Sequence, residues 1–391
     1  MNKKRFIYLD NAATTPVDSA VFKKMQPYFF EQYGNPSTIY SLGEKASQAV
    51  EKARGQIADF LKCSSNEIYF TSSASESDNW IINGLVSNEK KKIHIITSAI
   101  EHKAILEPCR NLKEKGLAEI TYLPINESGL VEINSFKKAI KKNTKLISIM
   151  YANSEIGTIE PIEEISALIR KINSKRNEKI IFHTDAVQAV NYLNCDVQKL
   201  GVDSLSLSGH KIYGPKGIGA LYIRNGISIS PLIRGGGQEK NMRSGTENVP
   251  GIVGLGEAIK KVQDCKIKID SIKKLRNKLI TGILRDIPDS QLNGSLKKRL
   301  PNSAHISFSG AEGESIVMEL SQRNIFVSTG SACASNSLSP SHVLTALGLS
   351  HEQSHCSVRF TLGKYTTNND INFVLKILPG IIKRLRKISG R

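Results

Sequence analysis

Five short runs rich in isoleucine, leucine and other strand-forming residues, EIYF, KIHIIT, KLISIMY, KIIFH and SLSLS, recur between Glu67 and Ser208, separated by longer stretches of helical periodicity. Such alternation predicts βα units and a largely parallel sheet with helices on its faces. It also constrains where chemistry can lie, because ligands of open α/β sheets bind beyond the carboxyl ends of the strands. Here every run is followed by polar residues: TSSASES after Phe70, Glu101-His102 soon after HIITS, ANSEIG after Tyr151, HTDAVQ after Phe182 and SGHK after Leu207. These five segments are predicted to converge on one crevice.

The fifth segment belongs to SLSLSGHKIYGPKGIGALYI. Val202, Leu205 and Leu207 have the period of a strand, and Gly214, Pro215, Gly217 and Gly219 force turns before a second apolar run begins at Ala220. Lys211 therefore sits at a strand end. A lone lysine is ordinarily a solvated surface group, but in a crevice its amine can attack carbonyls once desolvation or nearby charge lowers its pKa. If the carbonyl is that of pyridoxal phosphate, the site must also supply an acid for the pyridine nitrogen, a flat group over the ring and a phosphate cradle.

Candidates for each role exist, and each has a plainer reading. Asp185 follows a strand and can hold a ring nitrogen protonated, or simply cap a helix over AVQAV. His102 can stack and move protons, or merely open the helix of HKAILEPC. TSSASESDNW, with Ser73, Ala74 and Ser75, offers hydroxyls and N–H groups at a helix N-terminus, suited to phosphate or to ordinary capping. Arg359 in SVRFTLG can grip a carboxylate bidentately or make a surface ion pair. Cys333, in the small-residue stretch TGSACAS, is a candidate sulfur nucleophile. His351, His355 and Cys356 lack a second ligand pair, so no metal is expected.

The chain of 391 residues is long enough for a large and a small domain. Charged helical sequence is predicted from about Val262 to Lys298. NSAHISFSG and GESIVMEL then begin a fresh βα unit, onto which the N-terminal arm is expected to cross. The sequence has no uninterrupted run of 18 apolar residues and no leader-like apolar segment, so no membrane association is expected and the cytoplasm is the default. Six scattered cysteines without a CxxC pair argue for reduced, mostly buried thiols. The net charge of +18 suits acidic partners, yet no nucleic-acid motif accompanies it, and solvated lysine-rich helix faces explain it without direct nucleic-acid binding.

Taken together, YLDNAATTP, YGNPST, EHKA, HTDAVQ, SGHKIYGPKGIGALY, MRSGTENV, GSACAS and VRFTLG resemble, in order and nearly end to end, the NifS/IscS-type cysteine desulfurases among fold-type I pyridoxal-phosphate enzymes. The resemblance implies an α/β fold of the aspartate-aminotransferase type: a large domain, residues 15–260, with a mostly parallel seven-stranded sheet, and a smaller α/β domain from 1–14 and 261–391 carrying the cysteine loop. It implies Lys211 as the cofactor lysine, Asp185 on the pyridine nitrogen, Gln188 on the phenolic oxygen and His102 on the ring. Ser75, Ser208 and His210 would hold the phosphate, with Ser73 and Ala74 in the same loop. Thr246 would reach the phosphate in the partner subunit of a homodimer. Asn35 and Arg359 would hold the carboxylate of L-cysteine, and Cys333 would take the sulfur as a persulfide and hand it to an acceptor protein.

Two positions depart from the family pattern. Ser154 stands in NSEIG where the family has an asparagine that contacts the phenolic oxygen, a gap for Asn153 or a water to fill. Ser73 replaces a glycine, so the serine must avoid or tolerate positive φ. The serine at 154 resembles desulfurases that feed DNA phosphorothioation, which adds that route to iron–sulfur scaffolds and tRNA thiolation as the sulfur's destination. A selenocysteine lyase or an aminotransferase on the same fold is the alternative, and GSACAS argues for the desulfurase because transamination needs no loop cysteine.

Overall fold

The computed structural model describes residues 6–264, 269–330 and 340–390. Its large sheet has seven strands in the spatial order Ile68–Thr71, Gly219–Ile223, Ser204–Ser208, Ile181–Asp185, Thr144–Ser148, Ile93–Ser98 and Ala118–Leu123. Gly219–Ile223 runs antiparallel to both neighbours, and the other pairings are parallel. Five of these strands are the runs singled out in the sequence. Periodicity does not predict Ala118–Leu123, for a physical reason: it is an edge strand whose Glu119, Thr121 and Tyr122 are half-buried or exposed, so its sequence AEITYL need not be continuously apolar.

Successive residues of a strand point to opposite faces, and both faces are covered. Ile96, Ile147, Leu205 and Leu207 join Ile57 and Leu61 of helix Ser41–Leu61 and Leu255 of helix Val249–Asp264 in one core. Ile95, Leu146 and Leu221 face the other way, onto Trp80 and Ile81 of helix Ala74–Val86 and Ile105 of helix Lys103–Glu114. Each such fully buried side chain contributes about 1.5–3 kcal/mol relative to exposure. The serines of SLSLS are buried as well. Ser204 donates to the Tyr222 carbonyl at 2.8 Å, and Ser206 meets His183 Nε2 at 3.0 Å. The alternation is apolar against hydrogen-bonded polar rather than inside against outside.

The smaller domain has a second core around Phe308, Phe360, Leu279 and Leu378. Its antiparallel sheet places Ser303–Phe308 between Ser290–Leu292 and Ser357–Thr361, backed by helices Ile269–Asp286, Gly313–Ser321 and Asn368–Ile388. The helical stretch expected to reach Lys298 ends at Asp286. Pro288 and the left-handed Asp289 (φ 54°) turn the chain into the edge strand Ser290–Leu292, too short to carry a period. The N-terminal arm crosses as expected: Ile7–Tyr8 pairs in parallel with Ile325–Phe326. It continues past Thr361, whose carbonyl accepts from Asn11 Nδ2 at 2.9 Å, to Thr15, whose hydroxyl donates to the His210 carbonyl at 2.9 Å. The arm thus ties the small sheet to the turn that bears Lys211. Among the described residues no helix is long and apolar enough to cross a membrane, and no side-chain cluster is arranged to hold a metal.

Candidate active site

A cavity of about 620 Å³ opens at the carboxyl ends of the large sheet, within the ~300–1,000 Å³ of small-molecule sites. All five predicted segments line it, contributing Ser73, Ala74, Ser75, His102, Ser154, Asp185, Gln188, Ser208, His210 and Lys211, and Arg359 enters from the small sheet. Lys211 ends the single turn Gly209–Lys211 that follows strand Ser204–Ser208. Its Nζ donates to the Ala12 and Ala13 carbonyls at 2.6 and 2.7 Å, so the arm holds the amine at the cavity wall. Gln188 Nε2 donates to the same Ala12 carbonyl at 3.1 Å.

His102 caps helix Lys103–Glu114, its Nδ1 accepting from the Ala104 N–H at 3.1 Å; in the neutral ring the proton is therefore on Nε2. Capping and lining the cavity are not alternatives here, because the same residue does both. Asp185 accepts from the Val187 N–H at 2.8 Å, but AVQAV forms turns rather than the helix that a capping aspartate predicts. Ser73 caps helix Ala74–Val86, accepting from Glu76 N–H at 3.2 Å, and its φ of −172° is extended backbone. The serine thus avoids positive φ altogether. Glycine is required instead at Gly219, where a Cβ would come within 2.8 Å of the Ser73 carbonyl carbon and 3.0 Å of Ala74 N.

Arg359 is almost wholly buried. It donates from Nη2 to Asp10 at 2.8 Å and from Nη1 to the Ser154 carbonyl at 3.0 Å, and its Nε has no hydrogen-bond partner among the described residues. Asn153 does not fill the gap left by Ser154. Its amide donates to Ile100 O at 2.9 Å, and its oxygen accepts from the N–H groups of Glu155 and Ile156 at 2.9 and 3.0 Å. Those bonds commit it to the loop.

Burial dominates the electrostatics. It raises the Asp185 carboxyl, against the Val187 hydrogen bond and the charges of His102 and Lys211. Asp78, also in the cavity wall, is raised further, first by burial and then by the charge of Asp185. Two buried carboxyls that repel each other disfavour simultaneous ionisation. His210 is brought down to about 4 by burial and then by Lys211 and Lys216, so its imidazole is neutral at neutral pH.

The amino-transferase class-V family model matches residues 7–374. "Cysteine desulfurase IscS" of Clostridium botulinum is 48% identical over all of this chain and 97% of its own length. Among solved structures, a "NifS-like protein" superimposes with TM-score 0.90 at 38% identity, covering 97% of this chain and all of its own. "SspA in complex with cysteine" gives 0.80 at 39%, covering 92% of this chain and all of its own. The chain belongs to the NifS/IscS-type cysteine desulfurases. It is thereby a fold-type I enzyme that depends on pyridoxal phosphate.

The residues of this desulfurase fit that cofactor. The cavity wall offers a primary amine, a buried carboxyl and a neutral imidazole. It also contains the N-terminal turn of helix Ala74–Val86, whose first N–H groups have no intrahelical acceptor. Arg359 Nε, a buried donor with no hydrogen-bond partner among the described residues, belongs to the same lining.

Other desulfurase candidates lie elsewhere. Asn35 is exposed, its Oδ1 accepting from Ser37 N–H at 3.0 Å, and Thr246 is exposed on the segment after Arg243; neither lines this chain's cavity. Cys333 lies outside the described residues. Of the other cysteines, burial holds Cys63, Cys109 and Cys195 near 12, far from thiolates at neutral pH.

Sequence reasoning assigned no role to Glu101 or Glu155. Burial pushes Glu101 up to about 8. Its Oε1 accepts from Ser98 Oγ and Met150 N–H at 2.7 and 2.8 Å, anchoring the residue beside His102. Glu155 reaches about 7 through burial. It accepts from Ser341 Oγ at 2.5 Å, and a Cβ on Gly330 would approach it to 2.9 Å. Its only sequence signal was membership of NSEIG.

Proposed function

We propose that this chain is a homodimeric cysteine desulfurase that converts L-cysteine to L-alanine, leaves the sulfur as a persulfide on Cys333 and passes it to an acceptor protein. The observation that carries the reading is the convergence of Lys211, Asp185, His102 and Arg359 on one cavity, in a chain whose relatives are named for that activity. The reaction balances without another reagent. The Cys333 thiolate attacks the sulfur of bound cysteine, an S–S bond forms as the C–S bond breaks, and the carbon left behind takes up the proton that the thiol released. Bound pyridoxal phosphate supplies the electron sink that spreads the substrate's negative charge.

The protein's part is positioning and proton management. Lys211 would carry the cofactor, its amine held by the Ala12 and Ala13 carbonyls. Asp185, oriented by the Val187 N–H, would keep the pyridine nitrogen protonated. Ser73, Ala74, Ser75, Ser208 and His210 would surround the phosphate, and Gln188 and Ser154 the phenolic oxygen. His102 would cover the ring and move protons. Arg359 would take the substrate carboxylate, for which its unpartnered Nε is a ready donor.

Asn35 and Thr246 would act on the site of a second copy, which accounts for their distance from their own cavity. The exposed Phe29, Phe30, Tyr33, Ile39 and Tyr40 flanking Asn35 form an apolar surface suited to such a copy. The acceptor belongs to an iron–sulfur scaffold, tRNA-thiolation or DNA-phosphorothioation route in the cytoplasm, and a net charge of +18 favours an acidic docking face.

Purified protein given L-cysteine and a reductant should release alanine and sulfide in equal amounts and no keto acid. Keto-acid formation would make it an aminotransferase. Turnover of selenocysteine with none of cysteine would make it a lyase.

A further inference from the structure

Glu239, Lys240 and Asn241 take φ of 45°, 59° and 64° in succession, the only consecutive non-glycine residues with positive φ in the described chain. Asparagine tolerates this region; glutamate and lysine do so at a cost, so surrounding contacts must hold the turn. The strongest is a buried, bidentate ion pair. Arg54 Nη2 and Nη1 donate to Glu239 Oε1 and Oε2 at 2.8 and 2.9 Å, with both side chains under 5% exposed. Oε2 also accepts from the Phe70 N–H at 2.9 Å, while Arg54 donates to the Ile68 carbonyl and lies 4.7 Å over the Phe70 ring.

Immediately after the turn, Arg243 forms a second bidentate pair, donating to Glu76 at 2.8 and 3.1 Å. Glu76 in turn accepts from the Ser72 N–H at 2.9 Å and from its hydroxyl at 2.5 Å. The loop therefore grips the end of strand Ile68–Thr71 and the start of helix Ala74–Val86, on both sides of the segment Ser72–Ser75. Buried ion pairs are seldom a source of net stability, so one that sustains a strained turn at this place calls for another purpose.

We propose that Glu239 is a positioning residue for the cofactor's phosphate: paired with Arg54, it enforces the left-handed turn that seats Arg243 on Glu76 and so fixes the Ser72–Ser75 backbone around the phosphate. The proposal rests on the placement of the phosphate under Proposed function and adds a structural determinant to it.

The test compares pyridoxal phosphate with pyridoxal, which lacks the phosphate, as ligands of the full-length protein. Glu239→Gln keeps the size and can still accept from Phe70 N–H but loses the charge. It should speed the loss of pyridoxal phosphate about tenfold while leaving pyridoxal affinity within about twofold. Adding Lys240→Gly should restore most of that loss, because glycine enters the left-handed region freely. Equal weakening of both ligands, retention of pyridoxal phosphate within twofold of wild type, or absence of rescue would overturn the proposal.

Should Glu239→Gln fail to fold, Arg243→Gln, at the more exposed second pair, decides by the same comparison: selective loss supports and no selectivity overturns. Ser75→Ala separates the proposal from the reading beneath it. If this variant discriminates between the ligands and the Glu239 and Arg243 variants do not, only the proposal fails. If it treats both ligands alike, the phosphate lies elsewhere and the underlying placement fails as well.

Discussion

On the sheet side of the cavity, Asp185, Ser208, His210 and Lys211 stand at or just past the ends of adjacent strands, and the N-terminal arm and neighbouring backbone hold them by short hydrogen bonds. Two other assigned residues behave differently: Asn35, expected on the substrate carboxylate, and Thr246, expected on a cofactor phosphate, are exposed on loops that do not reach their own cavity. The sheet side needs one chain, because a strand register fixes where its ends lie. Under the proposed function the outlying pair would serve a second copy, so that folding of one chain would complete the sheet side of the site and assembly would complete the rest.

The sheet side can be broken most severely at its amine. Lys211→Ala should abolish the visible absorbance of lysine-bound cofactor and lower desulfurase turnover by about a thousandfold or more, since it removes the amine that the Ala12 and Ala13 carbonyls hold at the strand end. Retained absorbance with full turnover would remove Lys211 from the mechanism.

The next effect sharpens the contrast between the two sides. In a mixed dimer with Lys211→Ala on one chain and Thr246→Ala on the other, a shared site collects both lesions in one cavity and leaves the second intact. Such dimers should bind one cofactor each and retain it as tightly as wild type. If that cofactor dissociates as fast as from the Thr246→Ala homodimer, each chain serves itself.

Glu155 joins the sides, accepting from Ser341 while its neighbour Ser154 accepts from Arg359. Its folded pKa of about 7 lies above the usual carboxylate value, so the native state holds a proton that the unfolded chain has released. This contribution to stability is complete below about pH 4.5 and is lost as pH rises through 7. Glu155→Gln, uncharged throughout and still able to accept from Ser341, should match wild type in urea unfolding at pH 4.5. At pH 8 it should exceed wild type by up to about 3 kcal/mol. An unchanged difference between the two pH values would show that Glu155 is not buried with its proton.

How much of this was legible in the sequence follows the same division. The strands around Lys211 are buried on both faces, so their apolar runs are strong signals, and the polar residues after them had only one place to go. The edge strand Ala118–Leu123 and the three-residue Ser290–Leu292 carry weaker patterns because one face or one edge meets solvent. Resemblance could name Ser154 and Ser73 as departures, but only coordinates show that Asn153 is committed to its own loop and that Ser73 is extended. Glu155 and Glu239 were illegible because a buried carboxyl looks like a solvated one in a string of letters; its partners come from distant segments, Ser341 and Arg54.

The central claim, that cofactor chemistry and sulfur capture are carried by different residues of one site, is tested most directly by Cys333→Ser. The hydroxyl keeps the size of the thiol but cannot form a persulfide, while Lys211, Asp185, His102 and Arg359 remain to bind and activate substrate. Addition of L-cysteine should still change the cofactor's spectrum, yet sulfide release should fall to background, whereas Cys356→Ser, outside the cavity, should turn over normally. Normal sulfide release from Cys333→Ser, or its loss from Cys356→Ser alone, would contradict the account.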